Sequence, residues 1–259
     1  MELPNKKVKA GRINPKKIVI FSQPKVGKTT LLSHLSNSLL IDLEDGSEFI
    51  DAVKINVIAE MNKINSTSEK KVNLLDTIKI MIGTINKANN SKKGYVYKYG
   101  IIDTVTALED IALILAAQLY KNTPMGRTWL GTDVSKLPNG AGYGYWREAL
   151  SILINQFEQL FDTLVIVGHI KDKLVEKEGK EMTSRGLALT GKTSSILCSQ
   201  VDAVGYMYRD KNETIINFSA SESLLVGSRC DHLKGKEIVV GSSDENDVLT
   251  IDWSKVFLD

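Results

Sequence analysis

The sequence is poor in the residues that build metal centres and disulfide frameworks. Its 259 residues include two cysteines, Cys198 and Cys230, and three histidines, His34, His169 and His232, which are scattered along the chain. Structural zinc sites need four Cys or His ligands at close spacings. We therefore expect no zinc chemistry and no disulfide framework, and we interpret the cysteines as free thiols in a reducing compartment.

Long apolar runs are also missing. The longest, IALILAA at 111–117, is far shorter than a membrane span, which takes about 20 apolar residues. The N-terminal stretch MELPNKKVKAGRINPKK is charged and no apolar segment follows it, so we expect no signal peptide. These absences predict a cytoplasmic protein with no membrane association.

The remaining composition is ordinary for a globular protein. Hydrophobic residues make up 42% of the chain and charged residues 25%, with a net charge of +2. This charge is too small to imply a nucleic-acid partner by itself, although a local basic groove would be hidden in the sum. The length suits one α/β domain with a small appendage.

Apolar runs typical of strands alternate with segments of helical periodicity. Strands are predicted at 17–21, 39–43, 53–58, 99–103 and 163–168, with helices at 28–38, 74–85, 104–120 and 145–161 and loops at 62–69 and 122–144. Closely spaced strands follow at 201–208, 213–220 and 238–240. The pattern predicts an α/β fold: a mostly parallel sheet flanked by helices, with antiparallel strands at its C-terminal end.

The predicted domains are a basic N-terminal arm (1–16), an α/β core (17–225) and a C-terminal hairpin or tail packed on that core (226–259).

The segment between the first strand and the first helix resembles the phosphate-binding pattern G-x-x-x-x-G-K-[ST]. In such a loop, backbone N–H groups point at the phosphates, Gly27 allows close approach, Lys28 bridges phosphates, and the Thr29 hydroxyl binds Mg²⁺. The first glycine of the pattern is replaced by Ser22. The predicted nucleotide-binding residues are Ser22, Gln23, Pro24, Lys25, Val26, Gly27, Lys28, Thr29 and Thr30.

Acidic residues follow two of the predicted strands. Glu44 comes after LLIDL, and Asp103 ends the strand IIDT. The carboxyl ends of parallel strands form the ligand-binding edge of such sheets. We therefore expect Asp103 to hold Mg²⁺ with Thr29, and Glu44 to orient or deprotonate the attacking water. The alternative is that each acid is solvated and caps the next element.

The order of the phosphate loop, IDLED, IIDT and VIVGHIKD resembles the RecA-like ATPase core. The resemblance implies that Glu44 is the catalytic base, that Asp103 is the metal-associated acid, and that His169 senses the γ-phosphate. The family often has Gln or Asn at the last position, so His169 is a departure. ATP and Mg²⁺ are the implied cofactors.

Residues 17–240 also resemble the small phage-encoded RecA-like ATPases of the single-strand annealing (Sak) type. The shared segments are the loop, NGAGYGYWREAL, and LTGKTSSILCSQVDAVGYMYRD. This resemblance implies a role on single-stranded DNA in phage recombination or replication, in the host cytoplasm. The implied partners are single-stranded DNA, further copies of the chain in a ring or filament, and a single-strand-binding protein.

RecA-like assemblies use a basic pair on a late hairpin to reach the nucleotide of a neighbouring subunit. In VGSRCDHLKGKEI, Arg229 matches the second basic position, but Gly227 stands at the first. Lys234 or Lys236 could substitute for it. The alternative is an exposed arginine with no role in catalysis.

The same resemblance implies that two segments, 122–144 and 171–200, contact the DNA strand. Basic residues would offset phosphates, and aromatic side chains would stack on bases, although Tyr145 and Trp146 could instead belong to the core. The residues concerned are Lys121, Arg127, Trp129, Lys136, Tyr143, Tyr145, Trp146 and Arg147, and then Lys171, Lys173, Lys177, Lys180, Arg185 and Lys192.

Two other functions fit the same loop. A nucleotide or metabolite kinase would also carry it, but kinases usually have an arginine-rich lid, and the few arginines here are not clustered. A nucleotide-dependent DNA-binding scaffold with little hydrolysis would tolerate the departures at Ser22 and Gly227.

Overall fold

A computed structural model describes residue 3 and residues 5–177, 180–221, 223–246 and 248–258; for residues 173–177 and 180–182 it describes the backbone alone. The strands are β1 Lys17–Ser22, β2 Ser38–Asp42, β3 Lys54–Asn56, β4 Tyr99–Asp103, β5 Thr163–Lys177, β6 Lys180–Leu187, β7 Ala203–Asp210, β8 Glu213–Asn217, β9 Gly227–Ser228, β10 Glu237–Ser243 and β11 Leu249–Ile251. The helices are α1 Lys28–Ser33, α2 Val57–Thr67, α3 Leu74–Lys92, α4 Val105–Lys121, α5 Gly142–Glu158 and α6 Thr193–Gln200.

Most of the strands form one path in the order β11-β10-β8-β7-β1-β5-β4-β2-β3, while β6 pairs with β5 and β9 pairs with β7 off this path. The pairs from β7 through β1, β5, β4 and β2 to β3 are parallel. The pairs from β7 through β8 and β10 to β11 are antiparallel. The predicted α/β fold, with a mostly parallel sheet that ends in antiparallel strands, is confirmed.

Alternating residues of β1 bury opposite faces of the sheet. Val19 and Phe21 belong to the core under α3, α4 and α5, whereas Ile18 and Ile20 pack with Leu32 of α1. Trp253 closes this second core, and its indole N–H donates to the carbonyl of Leu31. Both faces of β1 are covered, and β1 pairs with β5 on one side and β7 on the other. The loop that follows its C-terminal end therefore lies at the edge of the sheet.

Three segments differ from the predictions. The first helix is six residues long and not eleven, because the chain turns at 34–37 into β2. The predicted loop at 62–69 lies largely in α2, which Asn56 caps by accepting a hydrogen bond from the N–H of Ala59. Residues 171–181 were expected to form a charged loop or a hairpin; the described part of this stretch belongs to the β5–β6 hairpin, and the following residues include the helix α6, which was not predicted.

In the described part of the chain, no helix is both long enough and apolar enough to cross a bilayer.

Candidate nucleotide site

The loop between β1 and α1 contains two residues with left-handed backbone conformations. Gly27 has φ +99° and caps α1, and Lys25 has φ +66°. A side chain at Gly27 would meet no protein atom within 4 Å, so within the protein itself it is the left-handed backbone that favours glycine there. Residues of alternating handedness turn successive N–H groups toward one point, as in anion-binding turns.

Lys28 lies buried beneath this loop. Its side chain is 6% exposed, and its ammonium donates to Oγ of Ser22 at 2.9 Å and to the carbonyl of Gln23 at 3.1 Å. Burial lowers the pKa of Lys28, although the nearby carboxylates of Asp103 and Glu44 act to raise it. The ammonium is therefore poorly solvated, a state in which a phosphate would be a strong partner.

Ser22, the departure from the loop pattern, is the last residue of β1 and is fully buried. Its hydroxyl accepts a hydrogen bond from Lys28 and donates to the carbonyl of Gln23. Its backbone is not left-handed, so this position does not require glycine. The serine hydroxyl instead helps to fix the position of the Lys28 ammonium.

The metal-binding pair predicted from the sequence is in contact. The hydroxyl of Thr29 donates to Oδ2 of Asp103 at 2.5 Å. Burial raises the pKa of Asp103; the Thr29 hydrogen bond and Lys28 oppose this change, and the charge of Glu44 adds to it. A carboxylate that is costly to ionise in the ligand-free protein would gain from a cation beside it.

Glu44 lies across the same space and is held from two sides. The hydroxyl of Thr104 donates to its Oε1 at 2.5 Å, and Nε2 of His169 lies 3.6 Å from its Oε2. The other ring nitrogen of His169, Nδ1, is buried and has no hydrogen-bond partner. Register explains the convergence: Asp42 pairs with Asp103, and Ser22 pairs with His169.

Asp42 organises the turn that carries Glu44. It accepts hydrogen bonds from the N–H groups of Glu44, Gly46 and Ser47 and from the Ser47 hydroxyl. Burial acts to raise the pKa of Asp42, but these hydrogen bonds outweigh burial and lower it. Sequence reasoning missed Asp42, Ser47 and Thr104; the signal for Thr104 was its position directly after the strand-ending Asp103.

These residues enclose a cavity of ≈ 420 Å³, within the ~300–1,000 Å³ range of ligand pockets. Six residues of the loop and the start of α1 line it, whereas the predicted residues Ser22, Gln23 and Val26 are not part of the lining. The lining residues are Pro24, Lys25, Gly27, Lys28, Thr29, Thr30, Asp42, Glu44, Gly46, Ile50, Asp103, Thr104 and His169.

The residues fit a magnesium-bound nucleotide. In the described part of the chain, no three His, Cys, Asp or Glu side chains form a metal site of their own. Magnesium usually takes one or two protein ligands and completes its shell with phosphate and water, so Thr29 and Asp103 are the residues that would hold it. The buried ammonium of Lys28 and the N–H groups of the loop would face the phosphates.

Arg229 does not line this cavity. Its guanidinium donates to the carbonyl of Ser199 at 2.7 Å and lies 3.7 Å from Asp202. The side chain is 64% exposed. A role on the nucleotide of this same subunit has no support, and its action on a neighbouring subunit remains a prediction.

The aromatic residues predicted to meet DNA are mostly packed. Tyr145 and Trp146 lie half-buried against the core, and the indole of Trp146 donates to the carbonyl of Glu109 at 2.6 Å. Trp129 meets the ring of Tyr120 edge-on. Tyr143 is 40% exposed and stacks on Trp146, so it is the most exposed of these four aromatic side chains.

The basic residues of the two segments are mostly exposed. The side chains of Lys121, Arg127, Lys136, Lys171, Arg185 and Lys192 are exposed, and Arg147 is half-buried. Arg185 lies 3.5 Å from Asp172 and Lys136 lies 3.7 Å from Asp133. The side chains of Lys173, Lys177 and Lys180 fall outside the described part of the structure.

The fold and the site define a P-loop ATPase domain. A family model described as an AAA domain matches residues 14–230, and the chain belongs to that family. No curated protein matches the sequence.

Two solved structures are similar in fold. The RadB recombinase aligns with a TM-score of 0.41 and 10% identity, over 91% of this chain and 90% of its own. A KaiC-like protein from the hyperthermophilic archaeon Pyrococcus horikoshii aligns with a TM-score of 0.42 and 12% identity, over 91% and 89%.

Proposed function

We propose that this ATPase domain hydrolyses ATP with Mg²⁺ and acts on single-stranded DNA. The observation that carries the proposal is the position of Glu44, which faces the same cavity as Lys28 and Asp103 and is held by Thr104. A carboxylate fixed beside the phosphate loop, and separate from the metal-associated acid, is what water activation requires.

Each residue then has a distinct task. Lys28 stabilises charge that develops on the transferred phosphoryl group. Mg²⁺ held by Thr29 and Asp103 would neutralise charge on the phosphate oxygens. Glu44 accepts a hydrogen bond from the attacking water and takes its proton. His169 lies beside Glu44, on the strand next to β1, where its ring N–H can donate to a γ-phosphate oxygen.

The DNA part of the proposal rests on the exposed basic residues of 122–144 and of the hairpin β5–β6, with Tyr143 as the stacking face. Single strands are bound by cations along the backbone and by aromatic faces on the bases. Oligomers on DNA and the action of Arg229 on a neighbour's nucleotide belong to the same proposal. The half-buried rings of Tyr145 and Trp146 would support the surface from below and would not stack on bases.

The first experiment measures ATP hydrolysis with Mg²⁺, with and without an oligo-dT strand. The variants are Lys28→Ala and Glu44→Gln, and the control is Glu148→Ala, an exposed acid on α5. We expect DNA to accelerate the wild type and the control. Glu44→Gln should lose about 10²–10⁴-fold in kcat while still binding nucleotide, because only the proton acceptor is removed.

Two outcomes would reject parts of this proposal. Hydrolysis by Glu44→Gln at the wild-type rate would remove Glu44 as the base. An unchanged rate with oligo-dT, combined with no binding of a fluorescent strand, would remove DNA as the partner. Transfer of phosphate from ATP to a nucleoside or metabolite would instead favour a kinase.

A further inference from the structure

Glu109 is a buried acid that the proposed mechanism does not use. Its side chain is 4% exposed on α4. Burial raises the pKa of Glu109, and hydrogen bonds from Thr190 oppose that change. An ionisable side chain in this position is costly, because a leucine of similar size would pack there without desolvating a charge.

Among the described residues, the hydrogen bonds that reach the Glu109 carboxylate all come from Thr190. The N–H of Thr190 donates to both oxygens, at 3.0 and 3.1 Å, and the Thr190 hydroxyl donates to Oε2 at 3.1 Å. Thr190 follows β6, the returning strand of the hairpin that the proposed function assigns to DNA. The carboxylate therefore ties the end of this hairpin to α4.

The same segment is bonded to the nucleotide site. The N–H of Ala188 donates to the carbonyl of His169 at 2.8 Å, and the hydroxyl of Thr106 donates to the carbonyl of Ala188. A side chain on Gly168 would overlap Leu187, so the contact between β5 and this segment is close. Residues 187–190 thus touch His169 on one side and α4 on the other.

Helix α4 connects residues 187–190 to Glu44. Its cap is Thr104, which is bonded to Glu44, and Thr106 and Glu109 lie within its first two turns. Helix α4 begins beside Glu44 at Thr104, and the strand β5 passes beside Glu44 at His169. A change at Glu44 or His169 on nucleotide binding therefore has two short hydrogen-bonded routes to residues 187–190. One runs through α4 and Glu109 to Thr190, and the other through the bond from the Ala188 N–H to the His169 carbonyl.

We propose that Glu109 is a positioning residue that couples the nucleotide site to the β5–β6 hairpin through Thr190. This inference rests on the proposed function for the nucleotide and for the hairpin's role. Without the Glu109–Thr190 bonds, nucleotide binding would still occur, but the end of the hairpin would no longer respond to nucleotide binding.

Amide hydrogen exchange tests the coupling without DNA. Exchange is measured at 25–30 and at 183–190, with Mg²⁺ and a non-hydrolysable ATP analogue or with no nucleotide. In the wild type we expect the nucleotide to slow exchange in both segments. In Glu109→Leu, slowing at 25–30 should persist and slowing at 183–190 should be lost. Glu148→Ala serves as the control and should behave as the wild type.

Thr190 supplies a graded second test. Thr190→Ser keeps the hydroxyl and should retain the nucleotide response at 183–190, whereas Thr190→Val keeps only the N–H bonds and should weaken it. A purely structural role for Glu109 would alter the melting temperature and the exchange rate equally with and without nucleotide. It would not remove the difference between the two conditions.

The outcomes separate the two proposals. The proposed coupling is wrong if nucleotide slows amide exchange at 183–190 in Glu109→Leu as it does in the wild type. It is also wrong if nucleotide does not change exchange at 183–190 in the wild type. If the response is present and depends on Glu109 but DNA does not stimulate hydrolysis, only the DNA role fails. No response at 25–30 in the wild type overturns nucleotide binding and this inference together.

Discussion

The hydroxyl of Thr104 donates a 2.5 Å hydrogen bond to the Glu44 carboxylate, although the two residues are 60 positions apart in the chain. Thr104 directly follows Asp103, the acid bonded to Thr29. Two consecutive residues therefore serve both groups: Asp103 is the proposed metal-binding acid, and Thr104 contacts the proposed base, Glu44. The separation of the two carboxylates is set by these two residues and by the pairing of β2 with β4.

Thr104→Val should lower kcat for ATP by roughly 10- to 100-fold, because a hydrogen bond to a charged group contributes about 1.5–3 kcal/mol and roughly 1.4 kcal/mol corresponds to tenfold in rate. The KM for ATP should change little, since Thr104 would orient the base and not the phosphates. Thr104→Ser keeps the hydroxyl and should restore the rate. Equal rates for the valine and serine variants would show that this bond does not position Glu44.

Lys28→Met should abolish ATP hydrolysis and yet raise the melting temperature of the nucleotide-free protein. Burial lowers the pKa of Lys28, so the folded state bears a cost for the charged ammonium that a methionine of similar length removes. A gain near 1 kcal/mol would shift the melting temperature by roughly 2–4 °C in a domain of this size. Thermal unfolding of Lys25→Met, an exposed loop lysine, is the control and should show no gain.

Asp42→Asn should destabilise the protein at neutral pH by about 1–3 kcal/mol, the cost of leaving buried donors with a weaker acceptor. The pKa of Asp42 is lowered below its ordinary 3.8. Its contribution is therefore complete above that ordinary value and is lost as the pH falls through the folded-state pKa. Denaturant unfolding should show wild type and variant converging in acid. Asp51→Asn, at an exposed position, should match the wild type throughout.

Cys198 should resist alkylation in the folded protein at pH 8. Burial raises the pKa of its thiol to about 11, although a hydrogen bond with Ser194 acts to lower it. Because the thiolate is the reactive form, the rate should rise about tenfold per pH unit until that pKa is approached. Iodoacetamide labelling of Cys230→Ser reports on Cys198 alone. Complete labelling at pH 7 under native conditions would contradict a buried thiol.

The sequence predicted the strands that carry the site because their patterns are strong. The runs KIVIF and YGIID are buried on both faces and leave little ambiguity. Helix α2 was missed because its apolar start, Val57 and Ile58, was assigned to the predicted strand at 53–58 and its end is polar; its start is fixed by the Asn56 cap. Helix α6 was missed because its mixed serine-rich sequence has almost no apolar face.

The contacts within the site were harder to foresee than its members. Glu44, Asp103, Lys28 and Thr29 follow from strand ends and a loop pattern, which a single sequence displays. The bond from Thr104 to Glu44 depends on the register of β2 against β4, which only the folded sheet determines. The Ser47 hydroxyl on Asp42 likewise depends on a turn whose shape no local pattern specifies.

The two outermost strands of the sheet path, β3 and β11, each have three residues. Unpaired edges are where chains stick to one another by adding strands, and short edges offer few backbone groups for this. Neither end of this path therefore offers a long template on which a second copy could extend the sheet. Contacts between copies at these two ends would have to come from side-chain surfaces rather than from continuous backbone pairing.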